Sequence, residues 1–174
     1  MIVLTKKTKD KEDAESKELL VAYRLCGSVC AYFAADRVIR SVTLDGHRDE
    51  GRGHLSLTTQ QPDRPVTRET TELQIVSAFA GSIAESCFSQ QRKSEFDPTS
   101  VDPALVELAH SVTGSSDEEW AYLHWLWEKS LNVFNTPGVF HFCGEMSAEL
   151  VQKRSVDGKR AKTLWDASLQ AAKY

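Results

Sequence analysis

The sequence has 174 residues, the size of one domain with a single hydrophobic core. Hydrophobic residues make up 41% of the chain and charged residues 26%, which excludes a disordered chain because this apolar mass is enough to form a core. The formal net charge of −4 excludes the strongly basic surface that nucleic acid or an anionic membrane requires, so we predict neither as a partner.

The N-terminal segment is charged. Residues 6–17 contain few apolar side chains, which predicts that residues 1–18 are a tail or the solvated first turns of the helix that follows. The chain turns polar after its first four residues, unlike a secretory signal, and no apolar run approaches the ~20 residues that span a bilayer. We therefore expect a cytoplasmic protein whose single domain covers residues 19–174.

A core helix and two strands are predicted next. Apolar residues recur at steps of three and four from Leu19 to Phe33, which places them on one stripe of a helix that ends near Ala35. Residues 38–44 are rich in β-branched side chains and residues 53–59 alternate apolar with polar, so we expect two short, paired strands joined by a solvent loop.

A second core helix is predicted after Pro65. Thr67 is typical of a helix N-cap, and an apolar stripe runs from Leu73 to Cys87. Gly81 lies inside this stripe, where glycine costs about 1 kcal/mol relative to alanine. We therefore expect another backbone, that of the first helix, to pack closely at this position.

Two more helices begin at capping patterns. Asp102 followed by Pro103 is typical of an N-cap with proline at the first helical position. Ser116 with Glu119 resembles a capping box for a long helix that continues to Phe134.

Two terminal helices, at about residues 145–154 and 159–172, complete the pattern. The predicted fold class is mainly α (α+β), a helical bundle with a small two-stranded β element in its N-terminal half.

Several short strings then carry a resemblance to a known family. In chain order they are residues 20–23 (LVAY), 40–44 (RSVTL), 53–57 (GHLSL), 78–85 (AFAGSIAE), 98–103 (PTSVDP) and 153–159 (KRSVDGK). Their order, and the order of the predicted elements, resembles the peptidase domain of FtsH-type ATP-dependent zinc metalloproteases over about residues 19–170. The resemblance implies the same helical bundle and a cleft beside the first helix.

The chain departs from that family at the metal site. Where the family reads H-E-x-x-H, this sequence has Arg24, Leu25 and Ser28 in place of the first histidine, the glutamate and the second histidine. Arginine keeps its proton, leucine is no base, and a serine hydroxyl is a poor zinc ligand. Asp102 falls where the family places its carboxylate ligand. We therefore expect no catalytic residue, no metal ligand and no cofactor at these four positions.

The resemblance suggests what replaces the metal. Arg24 brings a positive charge to the former metal position, and we expect its guanidinium to pair with Asp102. The sequence contains no P-loop motif, so the ATPase of the family is not encoded in this chain. The leading hypothesis is a catalytically inactive domain that acts as a binding or regulatory module for a peptide or protein.

Two alternatives stay open. The first is a metal-dependent peptidase with relocated ligands drawn from Cys26, Cys30, Asp102 or a histidine. His141 and Cys143 could supply two ligands as well, although the apolar residues beside them favour a packed segment. For all four cysteines the favoured interpretation is a reduced core thiol.

The second alternative is a self-assembling subunit, a homo-oligomer held by exposed aromatic residues. Trp120 and Trp127 fit the core stripe of their helix, whereas Tyr122 and Trp125 point elsewhere and are candidates for contact with another chain.

Overall fold

Helices dominate the part of the chain that the computed structural model describes, which is the backbone of residues 2–45, 54–55, 67–90 and 95–173. Side chains are described for residues 15–44, 67–90 and 95–173. The helices within these ranges are α1 Ile2–Ala34, α2 Arg68–Phe88, α3 Pro103–His110, α4 Ser116–Phe134, α5 Val139–Lys153 and α6 Gly158–Ala171.

A small antiparallel sheet lies beside the helices. Its central strand β1, Ser41–Asp45, pairs with β2, His54–Leu55, and with β3, Ser155–Asp157. The predicted pairing of two N-terminal strands is confirmed by the register of Leu44 against Leu55. Strand β3 was not predicted, and it ties the start of α6 to the N-terminal half of the chain. The predicted loop at residues 46–52 and the rest of the second strand lie outside the described residues.

Helices α1 and α2 cross at a pair of glycines. A methyl group at Gly81 would lie 2.9 Å from the backbone oxygen of Arg24, and one at Gly27 would lie 2.4 Å from the backbone oxygen of Ala80. These distances are shorter than ordinary van der Waals contact, so only glycine allows this approach. The predicted close packing of the first helix against Gly81 is therefore confirmed.

The helix caps explain where the helices begin. Thr67 forms a capping box with Thr70, and the Asp102 carboxylate accepts from the Ala104 backbone N–H, as predicted. The expected cap of α4 was displaced by one residue, because the Ser115 hydroxyl, rather than that of Ser116, accepts the capping hydrogen bond.

Glu119 was also misassigned, as a member of the capping box of α4. The side chain that accepts a hydrogen bond from the Gly114 N–H is that of Glu118, one residue earlier. Glu119 is buried instead and lies 3.2 Å from the His110 ring.

The core lies where α1, α2, α4 and α5 meet, and α6 closes it. Leu25, Ile75, Leu123 and Phe142 are among its fully buried side chains. An aromatic group made of Phe33, Phe142 and Trp165 joins α1, α5 and α6, with ring centroids 5.3 to 6.2 Å apart. These contacts make the described helices one packed unit.

The aromatic residues of α4 are not all buried or exposed as predicted. Trp127 is buried and Trp125 is 51% exposed, as expected. Trp120, expected in the core, is 36% exposed, and Tyr122, expected to point away, is buried. The buried stripe therefore includes Leu123, Leu126 and Trp127 as predicted, but it takes in Tyr122 and leaves out Trp120.

Candidate functional site

A cavity of about 400 Å³ lies between α1, α2, α3, α4 and the segment that leads into α3. The resemblance to the zinc proteases drew attention to four positions of the sequence. Three of them, Arg24, Ser28 and Asp102, line this cavity. The fourth, Leu25, is 2% exposed and belongs to the core. Helix α1 and residue 102 are far apart in sequence, so it is the fold that brings these residues together.

The rest of the cavity wall is partly apolar and partly polar. Its remaining lining residues are Ala78, Phe79, Ser82, Phe96, Asp97, Ser100, Val101, Leu105 and Trp127. Apolar walls with a few convergent polar groups are typical of pockets that bind small ligands or single side chains.

The charge of Arg24 is balanced within the fold, but by a different partner from the one predicted. Its Nε donates to Glu85 Oε2 at 2.6 Å, and a terminal guanidinium nitrogen contacts the same oxygen. The expected pair with Asp102 is therefore wrong, because Glu85 lies on α2 directly across the glycine contact. Arg24 and Asp102 share the cavity without bonding to each other.

The two aspartates of the cavity hold the chain that enters α3. Asp97 Oδ1 accepts from the backbone N–H and the hydroxyl of Thr99, at 2.9 and 2.7 Å. Asp102 Oδ1 accepts from the Ala104 N–H at 2.9 Å. Within the described part of the chain no group donates to the second oxygen of Asp102. One carboxylate oxygen of Asp102 is thus available to a ligand.

Ser28 is a structural hydroxyl at the cavity wall. It is 5% exposed, and its Oγ donates to the backbone oxygen of Ser77 at 2.9 Å, which joins α1 to α2. This hydrogen bond goes to a backbone carbonyl rather than to a base, so the geometry gives the hydroxyl a packing role rather than that of a nucleophile.

Three aromatic rings pack together in the cavity wall. The ring centroids of Phe79 and Trp127 are 5.5 Å apart, those of Phe79 and Phe96 are 6.3 Å apart, and those of Phe96 and Trp127 are 6.4 Å apart. On its other side Phe96 stacks on His124, with centroids 5.1 Å apart. Trp127 is buried, and its indole N–H has no hydrogen-bond partner within the described part of the structure.

The cavity residues do not fit a zinc ion. Of the four positions named from the sequence, Arg24 and Leu25 offer no lone pair and the Ser28 hydroxyl is already engaged, so only Asp102 could be a ligand, where zinc requires three or four. Across the described residues, no three side chains of histidine, cysteine, aspartate or glutamate lie close enough to hold a metal ion.

Three of the four cysteines, Cys26, Cys30 and Cys143, lie in the core, away from the cavity wall, whereas Cys87 is half-buried rather than in the core as predicted. Burial raises the pKa of the Cys26 and Cys30 thiols well above the ordinary value, so both are protonated at neutral pH. Cys30 Sγ lies 3.6 Å from Cys143 Sγ, and all three residues are buried. His141 is exposed on the other side of α5 and pairs with Glu145, so it does not converge with Cys143.

Comparisons with other proteins add no assignment. Neither the family models nor the curated protein sequences with which the chain was compared gave a match. Among the described helices, none combines the length and the apolar character needed to cross a membrane.

Sequence reasoning missed several residues of this cavity. Glu85, the partner of the lining residue Arg24, stands in the sequence only as the end of a family-like string, although its position one turn beyond Gly81 places it against Arg24. Phe96 and Asp97 lie in a segment that reads as polar, and no periodic signal marked them. The proline after Asp97 was the available signal, because an aspartate that precedes proline is typical of a turn or helix start.

Proposed function

We propose that this chain is a catalytically inactive domain of FtsH-peptidase type, and that the cavity beside Arg24 binds an extended segment of a peptide or protein. The observation that carries the proposal is the meeting of Arg24, Ser28 and Asp102 in one cavity. If the resemblance to the zinc proteases is correct, these three positions must lie close together. The apolar stripes of the helices do not by themselves predict that they do.

The chemistry of the cavity supports binding rather than hydrolysis. The Ser28 hydroxyl donates to a backbone oxygen and the Arg24 guanidinium donates to Glu85, so the fold already engages both groups. Apolar rings and one open carboxylate oxygen remain for contact with a ligand.

The test is a selection of displayed random peptides on the whole chain, followed by affinity measurements with two matched variants. Ala78→Trp fills the cavity from an exposed position on α2, and Ala148→Trp places the same side chain on the exposed face of α5. We expect Ala78→Trp to weaken binding of selected peptides at least tenfold and Ala148→Trp to leave it unchanged. Equal binding by both variants would contradict the location of the site.

Metal analysis tests the inactive character of the domain. Protein purified without chelators is expected to contain zinc far below one ion per chain and to leave a labelled protein substrate uncleaved. Stoichiometric zinc together with cleavage that a chelator abolishes would overturn the proposal in favour of a peptidase.

A further inference from the structure

Two thiol groups from different helices meet in the core. Cys30 of α1 and Cys143 of α5 are 113 positions apart in the sequence, and their Sγ atoms lie 3.6 Å apart. Both residues are buried, and the thiol of one donates a hydrogen bond to the sulfur of the other. The sulfur atoms of a disulfide lie about 2.05 Å apart, so each would need to move by less than about 1 Å to form one.

Aromatic residues beside the two thiols fix the position of α1 against α5. Phe33 lies three positions after Cys30, and Phe142 directly precedes Cys143. The centroids of these two rings are 6.2 Å apart, and Trp165 of α6 packs on both, at 5.7 and 5.3 Å. Sliding of one helix along the other would break these ring contacts, so the two thiols stay opposite each other while the core is intact.

We propose that Cys30 and Cys143 form a redox switch, in which a low-molecular-weight disulfide oxidises the two thiols to a disulfide that joins α1 to α5. One protein thiol, as its thiolate, attacks a sulfur atom of the small disulfide, which forms a mixed disulfide and releases the first small thiol. The second protein thiol attacks the protein sulfur of the mixed disulfide and releases the second small thiol. The protein loses two electrons and two protons, and both pass to the two thiols released.

Burial controls when this switch can act. Burial, and then the hydrogen bond with Cys143, raises the pKa of the Cys30 thiol well above its ordinary value, so the reactive thiolate is rare in the closed core. Exchange therefore requires a local opening of the contact between α1 and α5, and oxidation of the folded chain is expected to be slow. Once formed, the disulfide would hold this contact closed.

Cys26 is the competing thiol. It lies one helical turn before Cys30 on α1 and is also buried. Among the hydrogen bonds of the described side chains, none joins Cys26 to Cys143, whereas Cys30 contacts Cys143 directly. The geometry therefore favours the disulfide from Cys30, and the position of the cross-link distinguishes the two thiols.

The experiment uses the full chain with Cys87→Ser, which removes the half-buried thiol. The folded protein is incubated in buffers of oxidised and reduced glutathione, starting once from the reduced and once from the oxidised chain, and is then quenched with acid. Intact mass is expected to show the loss of two hydrogen atoms, and peptide mass mapping is expected to find Cys30 linked to Cys143.

The equilibrium constant for oxidation measures whether the folded state favours the disulfide. By linkage, a disulfide that stabilises the fold forms more readily in the folded chain than in the unfolded chain, by the same factor. The usual stabilisation by a disulfide corresponds to a factor of about 30 to 1000. We expect the equilibrium constant in glutathione buffers to be larger by such a factor without urea than in urea that unfolds the chain.

Two alanine variants locate the cross-link. Cys26→Ala keeps the proposed pair and should still form the disulfide, whereas Cys143→Ala should not. A link between Cys26 and Cys143 would overturn the inference, as would a folded chain that stays reduced in a buffer that oxidises the unfolded chain. An equilibrium constant no larger for the folded chain than for the unfolded chain would also overturn it. These three measurements use the intact pair, so they decide the inference whether or not an alanine variant folds.

Discussion

Replacing Gly27 with alanine tests the contact between α1 and α2 on which the cavity depends. The added methyl group would lie 2.4 Å from the backbone oxygen of Ala80 and 2.7 Å from the Ala84 Cβ. Neither atom can rotate away, so the helices must separate or tilt. Overpacking of this kind costs roughly 1–3 kcal/mol, and a contact with backbone belongs at the upper end.

The expected loss is partly offset, because alanine is better than glycine inside a helix by about 1 kcal/mol. We therefore expect Gly27→Ala to lower the free energy of unfolding by about 2 kcal/mol, against a total of about 5–15 kcal/mol for an ordinary domain. Gly144→Ala in α5 is the control, because its methyl group would meet only the Tyr23 hydroxyl, at 3.7 Å. The free energy of unfolding of this control variant should rise by up to about 1 kcal/mol.

Urea denaturation followed by circular dichroism measures both variants against the parent chain. The reasoning is refuted if Gly27→Ala is as stable as the parent, or if the two variants change stability by the same amount. A second readout is the affinity for selected peptides, which Gly27→Ala should reduce because its helices form one wall of the cavity.

Three further predictions concern the caps, an ion pair and the thiols. In the same denaturation assay, Ser115→Ala should lower the free energy of unfolding by about 1 kcal/mol and Ser116→Ala by less than about 0.5 kcal/mol. A larger loss for Ser116→Ala than for Ser115→Ala would show that Ser115 is not the cap. Hydrogen bonds from Arg160 and then Lys153 hold the pKa of Glu149 below its ordinary 4.5, so its contribution to stability is present above that pH and is lost as the pH falls through the lowered pKa. The gap in unfolding free energy between the parent and Glu149→Gln should therefore be larger at pH 7 than at pH 3, and an equal gap would contradict the assignment. A thiol reagent should label the half-buried Cys87 before the three buried cysteines, as peptide mass mapping would show; simultaneous labelling would speak against the core packing.

Much of the helical architecture was predictable because its signals are local. Thr67 and Asp102 satisfy helix N–H groups within a few residues, so their side chains mark helix starts without knowledge of the fold. Gly81 was informative for a related reason. A glycine inside a helix lowers its stability, so its presence in a long apolar stripe indicates a close neighbour that leaves no room for a side chain.

The features that were missed depend on partners distant in sequence. Strand β3 has three residues, too few for a periodic pattern, and it exists because Val156 pairs with Val42 across the sheet. Arg24 was expected to pair with Asp102, but the competing carboxylate of Glu85 is placed by the helix crossing.

The face of Tyr122 was likewise decided by packing rather than by the heptad-like spacing of the tryptophans. Trp120 and Trp127 share that spacing, yet only Trp127 is buried. Propensity and periodicity describe one helix at a time, and these outcomes were decided between helices.

The glycine contact also determines which side of the cavity can change its shape. Because backbone contacts backbone at Gly27 and Gly81, the side of the cavity formed by α1 and α2 is tightly packed and rigid. The opposite side, from Phe96 to Leu105, contains a single 3₁₀ turn and the start of a short helix, which are capped by Asp97 and Asp102 and contact the helix pair through side chains. Under the binding function that we propose, ligands of different bulk would therefore be accommodated by movement of that segment, and substitutions there could change selectivity without disturbing the helix pair.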